Sequence, residues 1–214
     1  MGRAIVNAHN NIGWYSKGQQ RLRESLNGHD EALCFYGNFP NNLFSKSNGY
    51  NVKASALYEA AITHSQLLWL DCSCWVIKDL KPIWDIVDSQ GYYFMDSEFN
   101  CSNYCNDQSL EYFGITRDEA EKIPMISSGC FAIDIKSEKG ALIYQIFIQS
   151  ALDNIFDNGT GSSDPRYIAH RHDQSALSII LYKLGCSIEN PEIAQYKLTD
   201  QTPTDSACIL MQGM

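Results

Sequence analysis

The sequence has 214 residues, of which 44% are hydrophobic and 12% aromatic, and its formal net charge is −9 at pH 7. This length suits one domain with a full core, and the acidic balance argues against a nucleic-acid partner, because basic patches carry most of that affinity. No window reaches the roughly 18 uninterrupted apolar residues of a membrane span, and a polar residue comes too early for a signal peptide, so we expect a cytosolic protein without a membrane span.

The first third of the chain alternates between predicted strands and helices. Strands are predicted at 4–8, 32–36 and 67–70, and helices at 19–26 and 53–66. The second helix places its apolar residues at the spacing of one helical face. Alternation of this kind is typical of an α/β fold with a largely parallel sheet covered by helices on both faces.

The rest of the chain continues this alternation. The strand predicted at 124–135 contains a glycine, which often marks close approach by a ligand or another backbone. Asp173 is predicted to cap a helix that Gly185 ends, and the tail beyond it is predicted to be irregular, consistent with a fragment of a longer protein. The other predicted elements are a helix at 80–87, a strand at 91–95, a helix capped by Thr116, a helix at 141–156 and a loop at 157–165 that is flexible enough to act as a lid.

An acidic residue ends the apolar run at 67–70, and a hydroxyl follows two places later. Alternate residues of an extended segment face the same side, so Asp71 and Ser73 would both present oxygens at the carboxyl edge of the sheet, where open α/β sheets bind ligands. Oxygen ligands suit Mg²⁺ or Mn²⁺. Asp also ends strands simply as a turn residue, so this motif alone leaves a metal site and a turn as alternatives.

A second polar cluster precedes the last predicted helix. His170, Arg171, His172 and Asp173 follow one another directly. Backbone N–H groups and the helix dipole favour anions at such a position, so the cluster predicts a phosphate site. The alternative is that Asp173 only caps the helix and Arg171 only pairs with a surface carboxylate.

The eight cysteines raise the question of a zinc site. Cys72 and Cys74 are separated by one residue, and Cys101 and Cys105 by three. Both spacings depart from the C-x₂-C pairs of structural zinc sites, and a cytosolic setting keeps thiols reduced. We therefore interpret most of the cysteines as buried free thiols.

Three motifs in this order resemble the nucleotide-sugar glycosyltransferases of the GT-A fold. They are Leu-Asp-x-Ser ending at Ser73, Ser-Ser-Gly ending at Gly129 before an apolar strand, and His-x-His-Asp-Gln ending at Gln174. The chain is especially similar to the small glycosyltransferase domains of chlorella viruses, and the resemblance covers residues 4–185. It implies a single Rossmann-related GT-A-like domain over residues 1–214, with a central, mostly parallel mixed sheet flanked by helices.

The resemblance also implies a cofactor. In the family an acidic motif holds a divalent metal, usually Mn²⁺, against the diphosphate of a UDP-sugar; Mg²⁺ is the alternative. Carried over, the metal ligands are Asp71, Ser73 in place of the family's second aspartate, and a histidine near the C-terminal end. We prefer His172 to His170 for this histidine, because it adjoins the predicted cap.

The donor site is implied in the same way. The first strand and its loop would cradle the uridine, Tyr15 or Tyr50 would stack on uracil, and Ser127 and Ser128 would line the sugar pocket. Lys53 resembles a basic residue that faces the nucleotide, with Lys17 or Arg171 as helpers at the diphosphate. The donor-binding residues implied are Asn7, Ala8, His9, Tyr15, Lys17, Lys53, Asp71, Ser73, Ser127, Ser128 and Arg171.

Asp173 and Gln174 resemble the catalytic pair that reaches the donor sugar in retaining transferases of the glycogenin type. Nearby oxygens would stabilise the oxocarbenium character of the anomeric carbon as UDP leaves. The alternative is an inverting reaction, in which Asp173 would act as a general base on the acceptor hydroxyl. The sequence leaves both alternatives open.

The function implied is transfer of a hexose or deoxyhexose from a UDP-sugar to a glycan acceptor. If the protein is viral, the resemblance implies a role in capsid glycan synthesis in the host cytoplasm. One alternative is a sugar-phosphate nucleotidyltransferase, which should have a glycine-rich loop after the first strand, whereas residues 7–13 contain one glycine. The other is a catalytically silent sugar-binding module.

Overall fold

The computed structural model describes residues 2–10, 13–46, 49–188, 193–196 and 207–211. Its strands are β1 (Arg3–Ala8), β2 (Ala32–Tyr36), β3 (Gln66–Leu70), β4 (Cys74–Val76), β5 (Tyr92–Tyr93), β6 (Asp96–Asn100), β7 (Pro124–Ile126), β8 (Cys130–Asp134), β9 (Ala194–Tyr196) and β10 (Ile209–Met211). Its helices are α1 (Tyr15–Ser25), α2 (Asn51–Ala61), α3 (Lys81–Gln90), α4 (Cys101–Tyr104), α5 (Asp107–Phe113), α6 (Arg117–Ala120), α7 (Glu138–Leu152) and α8 (His172–Lys183).

The central sheet has five strands in the order β2-β1-β3-β8-β5. Strand β1 pairs in parallel with β2 and with β3, whereas β8 is antiparallel to both of its neighbours. The sheet is therefore mixed and mostly parallel, with helices around it, and the predicted fold class is confirmed.

Alternate residues of β3 face two separate cores. Leu67 and Trp69 pack in a core that includes residues of α2, α7 and α8. Leu68 and Leu70 face the opposite side, where they pack with residues of α1 and α3. Strand β3 is thus buried on both faces, which explains its continuous apolar sequence. The next residue on the α2 and α8 side is Asp71.

The strand predicted at 124–135 is in fact two strands in two sheets. Strand β7 pairs with β6, while β8 belongs to the central sheet. At the break, the Ser127 N–H donates to the Met95 carbonyl at 2.8 Å, and the Gly129 carbonyl accepts from the Asp71 N–H at 2.8 Å. The prediction of one strand was wrong because the chain changes neighbours at Ser127–Gly129, and this change lies beside Asp71.

Several predicted boundaries also move. Helix α1 begins at Tyr15 rather than at residue 19, and α2 ends at Ala61 rather than at residue 66, because Gln66 opens β3. The tail is not wholly irregular, since β10 pairs with β4 and β9. Two local signals are confirmed: Thr116 and Glu119 form a reciprocal capping box, and Gly185 follows α8 with φ +59°.

The cysteines are free thiols, most of them buried, as predicted. Burial raises the pKa of Cys74 well above its ordinary value, so this thiol stays protonated. None of the helices in the described ranges combines the length and the apolar character that a membrane crossing requires. The predicted lid at 157–165 is tied to α5 and its cap, since the Asn106 side chain donates to the Asp157 and Asn158 carbonyls.

Candidate functional site

A buried lysine joins the two polar segments that the sequence singles out. Lys53 lies in the first turn of α2, and its side chain is only 8% exposed. Its Nζ lies 2.7 Å from Asp173 Oδ2 and 3.4 Å from Asp71 Oδ1. It also donates to the Ser128 carbonyl at 2.7 Å and to Ser128 Oγ at 3.3 Å. The residue after β3, the β7–β8 break and the first turn of α8 therefore meet at one ammonium group.

The surroundings keep Lys53 charged. Burial alone would lower the pKa of Lys53, but the carboxylates of Asp173 and Asp71 outweigh burial and raise it above its ordinary value. The rings of Trp69 and Phe131 lie 5.1 and 5.7 Å from Nζ, where their faces attract a cation. Lys53 is thus a fixed positive charge at neutral pH between two carboxylates.

Asp71 has one oxygen held by the protein and one that faces outward. The Trp69 Nε1–H donates to Oδ1 at 2.6 Å, the same oxygen that faces Lys53. No residue of the described chain forms a hydrogen bond or ion pair with Oδ2, which lies over Gly129; a Cβ on Gly129 would be 3.4 Å from it. Since the side chain is 39% exposed, Oδ2 is the oxygen positioned to bind a ligand.

Asp173 does not cap α8, so that part of the prediction was wrong. The helix begins at His172, and Arg171 occupies the N-cap position without a side-chain cap. Asp173 lies inside the first turn, only 5% exposed, and is paired with Lys53. A buried carboxylate needs an opposite charge, and this requirement prevails over the capping preference.

The two histidines beside Asp173 differ in what they can still bind. His170 is buried, with Nδ1 accepting from the Asn106 N–H at 3.4 Å and Nε2 donating to the Ile155 carbonyl at 3.2 Å. Burial lowers the pKa of His170 to about 4. His172 donates through Nδ1 to the Phe156 carbonyl at 2.8 Å, and its Nε2 has no hydrogen-bond partner in the described ranges. His172 is therefore the histidine that retains a nitrogen for a ligand.

The ring of His172 stacks on Tyr50 with 3.4 Å between centroids and 13° between planes. His172 has φ +53°, a left-handed conformation that is uncommon outside glycine. Burial lowers the pKa of His172, so its ring is mainly neutral near pH 7. Burial also raises the pKa of Tyr15, and the charges of Tyr50 and Asp71 raise it further.

The remaining predicted residues fall into buried, half-buried and exposed groups. Asn7 braces the sheet from within: its Nδ2 donates to the Leu70 carbonyl at 2.6 Å, and its Oδ1 accepts from Gln19 Nε2 at 2.8 Å. Ala8, His9 and Ser127 are also buried, Ser73 and Gln174 are half-buried, and Lys17 and Arg171 are exposed.

Three contributors were missed from the sequence. Trp69, Phe131 and Gln19 contact Asp71, Lys53 and Asn7 respectively. Strand periodicity places Trp69 two residues before Asp71 on the same face, so the sequence could have predicted this contact. The contacts of Phe131 and Gln19 depend on tertiary packing, and no local sequence pattern predicts them.

The donor chemistry of Asp71, Ser73 and His172 bears on the implied metal. Within the described ranges, no group of three or more His, Cys, Asp or Glu side chains is arranged to hold a metal ion. These residues carry one outward carboxylate oxygen, one hydroxyl and one imidazole nitrogen. Asp71 and Ser73 do not continue an extended segment as predicted, because the chain turns there and the Cys74 N–H donates to the Asp71 carbonyl at 2.9 Å. Mg²⁺ and Mn²⁺ are commonly held by one or two carboxylates together with substrate phosphates. Side chains of the described ranges therefore form no metal cage by themselves, and a divalent ion held at Asp71 would need phosphate oxygens from a bound diphosphate to complete its shell.

No protein-family model and no curated protein matches this sequence. Solved structures do match its fold. A glycosyltransferase involved in glycosylation of the major capsid of PBCV-1 superposes with a TM-score of 0.60 at 12% identity, over 99% of this chain and 93% of that one. The galactosyltransferase LgtC, solved with donor and acceptor sugar analogues, gives 0.54 at 13% identity, over 98% and 86%.

The bifunctional glycosyltransferase WbbM, in its apo form, gives a TM-score of 0.56 at 9% identity, over 99% of this chain and 45% of its own. The chain thus spans less than half of WbbM but most of the other two proteins. At these identities the likeness establishes the fold. The chain has the fold of these glycosyltransferase structures, as the resemblance of its three motifs implies.

Proposed function

We propose that the protein is a glycosyltransferase that moves a hexose or deoxyhexose from a UDP-sugar donor to a glycan acceptor. One observation carries the proposal: the ammonium of Lys53 joins Asp71, directly after β3, to Asp173 in the first turn of α8. This meeting point lies at the carboxyl end of β3, where open α/β sheets bind ligands. It occurs in a fold that three glycosyltransferases share.

The donor's diphosphate would lie between Asp71 and the start of α8. Asp71 Oδ2, Ser73 and His172 Nε2 are the groups that would hold Mn²⁺ or Mg²⁺ there, together with phosphate oxygens. The ion, when bound, supplies positive charge that offsets the charge of the departing diphosphate. The N-terminal N–H groups of α8 add a favourable dipole on the same side.

Lys53 positions the carboxylates on which the reaction depends. It holds Asp173 at 2.7 Å from Nζ and restrains Asp71 Oδ1, so neither carboxylate must reorganise during the reaction. Asp173 and Gln174 would then stabilise positive charge on the donor sugar, which gives retention. The inverting alternative, with Asp173 as a general base, differs in the anomeric configuration of the product.

Titration calorimetry with UDP, GDP and CMP, each with and without Mn²⁺, tests the donor assignment. We expect UDP to bind in the presence of Mn²⁺, and Asp71→Ala to lose this binding together with turnover. Binding of GDP but not UDP would overturn the donor assignment. A sugar-binding module would behave differently. The wild type would turn over no donor, and Asp71→Ala would keep the affinity of the wild type for glycans.

The nucleotidyltransferase alternative predicts a different product. Such an enzyme would release pyrophosphate from UTP and a sugar 1-phosphate, whereas a glycosyltransferase releases UDP from a UDP-sugar. A role in viral capsid glycan synthesis, a cytoplasmic location and a single domain over residues 1–214 rest on the sequence and its resemblance, and stay predictions.

A further inference from the structure

A row of three side chains leads from the surface to the start of α8. Phe99, in β6, is 50% exposed although it is a large apolar residue. Its ring meets the ring of Tyr104 edge-on, with 5.2 Å between centroids. The guanidinium of Arg171 lies over the same Tyr104 ring at 5.2 Å. Phe99, Tyr104 and Arg171, which we call the aromatic row, therefore form one continuous surface.

The local backbone explains why Phe99 points outward. The β6–β7 pairing is irregular between Asp96 and Phe99, and Glu98 has φ +64°, a left-handed conformation. Irregularities of this kind re-aim a side chain and recur next to active sites. Met125, the partner of Phe99 across the ladder, is fully buried. The strand pair is thus anchored in the core while presenting one ring to solvent.

Hydrogen bonds join the aromatic row to the candidate site. The Arg171 N–H donates to the Tyr104 carbonyl at 3.1 Å, and Ser175 Oγ in α8 accepts from the same N–H and donates to the same carbonyl. Arg171 stands two residues before Asp173 in the chain. The row therefore borders the place where the donor sugar would lie.

The chemistry of the row matches that of a sugar ring. The C–H face of a pyranose is apolar and weakly positive, so it packs against the negative face of an aromatic ring. No carboxylate in the described ranges pairs with Arg171, so its guanidinium is available to donate hydrogen bonds to hydroxyl groups.

We propose that the aromatic row is the acceptor subsite: a pyranose ring of the acceptor glycan stacks on Phe99, and Arg171 donates hydrogen bonds to its hydroxyl groups. The proposal rests on the proposed function and adds to it the surface that receives the second substrate. Acceptor and donor would then meet at the N-terminal end of α8.

Saturation-transfer NMR tests this subsite with defined probes. The probes are the methyl glycosides of glucose, galactose, mannose, xylose, fucose and rhamnose, each with UDP and Mn²⁺ present. We expect at least one glycoside to receive saturation at its ring protons from the wild type. Phe99→Ala should weaken its binding roughly fivefold or more, as expected for the loss of a central aromatic contact.

Two control variants make the comparison specific. Tyr182 is an aromatic residue near the far end of α8 with a similar exposure of 46%, so Tyr182→Ala should leave glycoside binding unchanged. Phe99→Trp keeps an aromatic face and should retain binding. Because Phe99 and Tyr182 are both half exposed, thermal unfolding should differ little among the variants.

Equal saturation of wild type and Phe99→Ala would overturn the proposal, as would an absence of saturation from every glycoside while UDP binds normally. Calorimetric UDP affinity is measured on the same samples. Failure of UDP to bind the wild type would refute the donor assignment, whereas normal UDP binding with no effect at Phe99 would refute only the acceptor subsite.

Discussion

Lys53 Nζ and Asp173 Oδ2 lie 2.7 Å apart in the protein interior, although one residue belongs to α2 and the other to α8. The pair brings the second polar cluster of the sequence to the first, because the same ammonium lies 3.4 Å from Asp71 Oδ1. Two helices and the end of a central strand are thereby fixed to each other at the candidate site. The pair is both a structural contact and the basis of the proposed chemistry.

Loss of Lys53 should leave Asp173 as an uncompensated buried charge. We expect Lys53→Met to lower the free energy of unfolding by about 3 kcal/mol, and Asp173→Asn in the same chain to recover part of that loss. A double-mutant cycle in urea should give a coupling free energy of about 1–3 kcal/mol.

The matched control is the exposed pair of Lys81 and Asp85, whose charged atoms are 2.6 Å apart. A cycle on that pair should give less than about 1 kcal/mol, since solvent screens it. A coupling for Lys53 and Asp173 no larger than this control would show that the buried pair does not hold α2 to α8.

Gly129→Ala should disturb Asp71 without unfolding the protein. Its Cβ would lie 3.2 Å from Met211 Sδ, which must shift slightly, and 3.4 Å from Asp71 Oδ2, where the new methyl group would crowd this oxygen against a ligand. We expect a cost of roughly 1 kcal/mol in the free energy of unfolding and a clear loss of UDP affinity by calorimetry. Gly2→Ala is the control, because its Cβ meets nothing within 4 Å. An unchanged UDP affinity in Gly129→Ala would show that Asp71 Oδ2 does not face the ligand.

His170 should make the protein less stable in acid. Its pKa in the folded state is about 4, whereas an unfolded histidine titrates near 6.5. Between these values the unfolded chain binds the extra proton, so the free energy of unfolding falls as pH falls from about 6.5 towards 4, by roughly 2–3 kcal/mol from this residue. Protonation of Nδ1 would also break the hydrogen bond that this nitrogen accepts from the Asn106 N–H.

Urea unfolding across this pH range measures the effect. His170→Gln should flatten the slope of stability against pH, leaving a smaller slope because burial also lowers the pKa of His172. His64→Gln is the control, because it shows how loss of an imidazole elsewhere in the chain changes the slope of stability against pH. A slope that stays unchanged in His170→Gln would contradict the assignment.

Divalent metal and nucleotide should bind cooperatively. Asp71, Ser73 and His172 provide too few strong ligands for tight binding of Mn²⁺ alone, so phosphate oxygens must complete its shell. We expect Mn²⁺ to raise UDP affinity about tenfold or more, and UDP to raise Mn²⁺ affinity by the same factor. Calorimetry in both directions measures the two factors, and Asp71→Ala should abolish both. Tight Mn²⁺ binding without nucleotide would argue against this ligand set.

The sequence predicts the central sheet because the sheet follows from local signals. That the two polar clusters share one site was implied by the family resemblance and by no local signal. Apolar strands, helical periodicity and the Asp71 strand end are written in consecutive residues, and the topology of α/β folds brings strand ends to one edge. The capping box at Thr116 and the αL glycine at Gly185 are local for the same reason.

The errors occur where a distant partner decides the outcome. Asp173 has the local sequence of a cap, but its side chain pairs with the buried Lys53 instead. Residues 124–135 have the local sequence of one strand, but their two halves pair in different sheets. Strand β10 is only three residues long and gains its structure by pairing with β4. Local propensity contains no information about such partners.

Release of UDP from UDP-sugars by the purified protein tests the central claim most directly. The wild type, with Mn²⁺ and either water or a glycan as acceptor, should release UDP from at least one UDP-hexose or UDP-deoxyhexose. Asp71→Asn, which removes only a charge from a partly exposed carboxylate, should stay folded and lose at least about a hundredfold in rate, as expected when the ligand that would hold the charge-neutralising divalent ion is weakened. Equal rates in the two proteins, or no release by the wild type from any UDP-sugar offered, would contradict the claim.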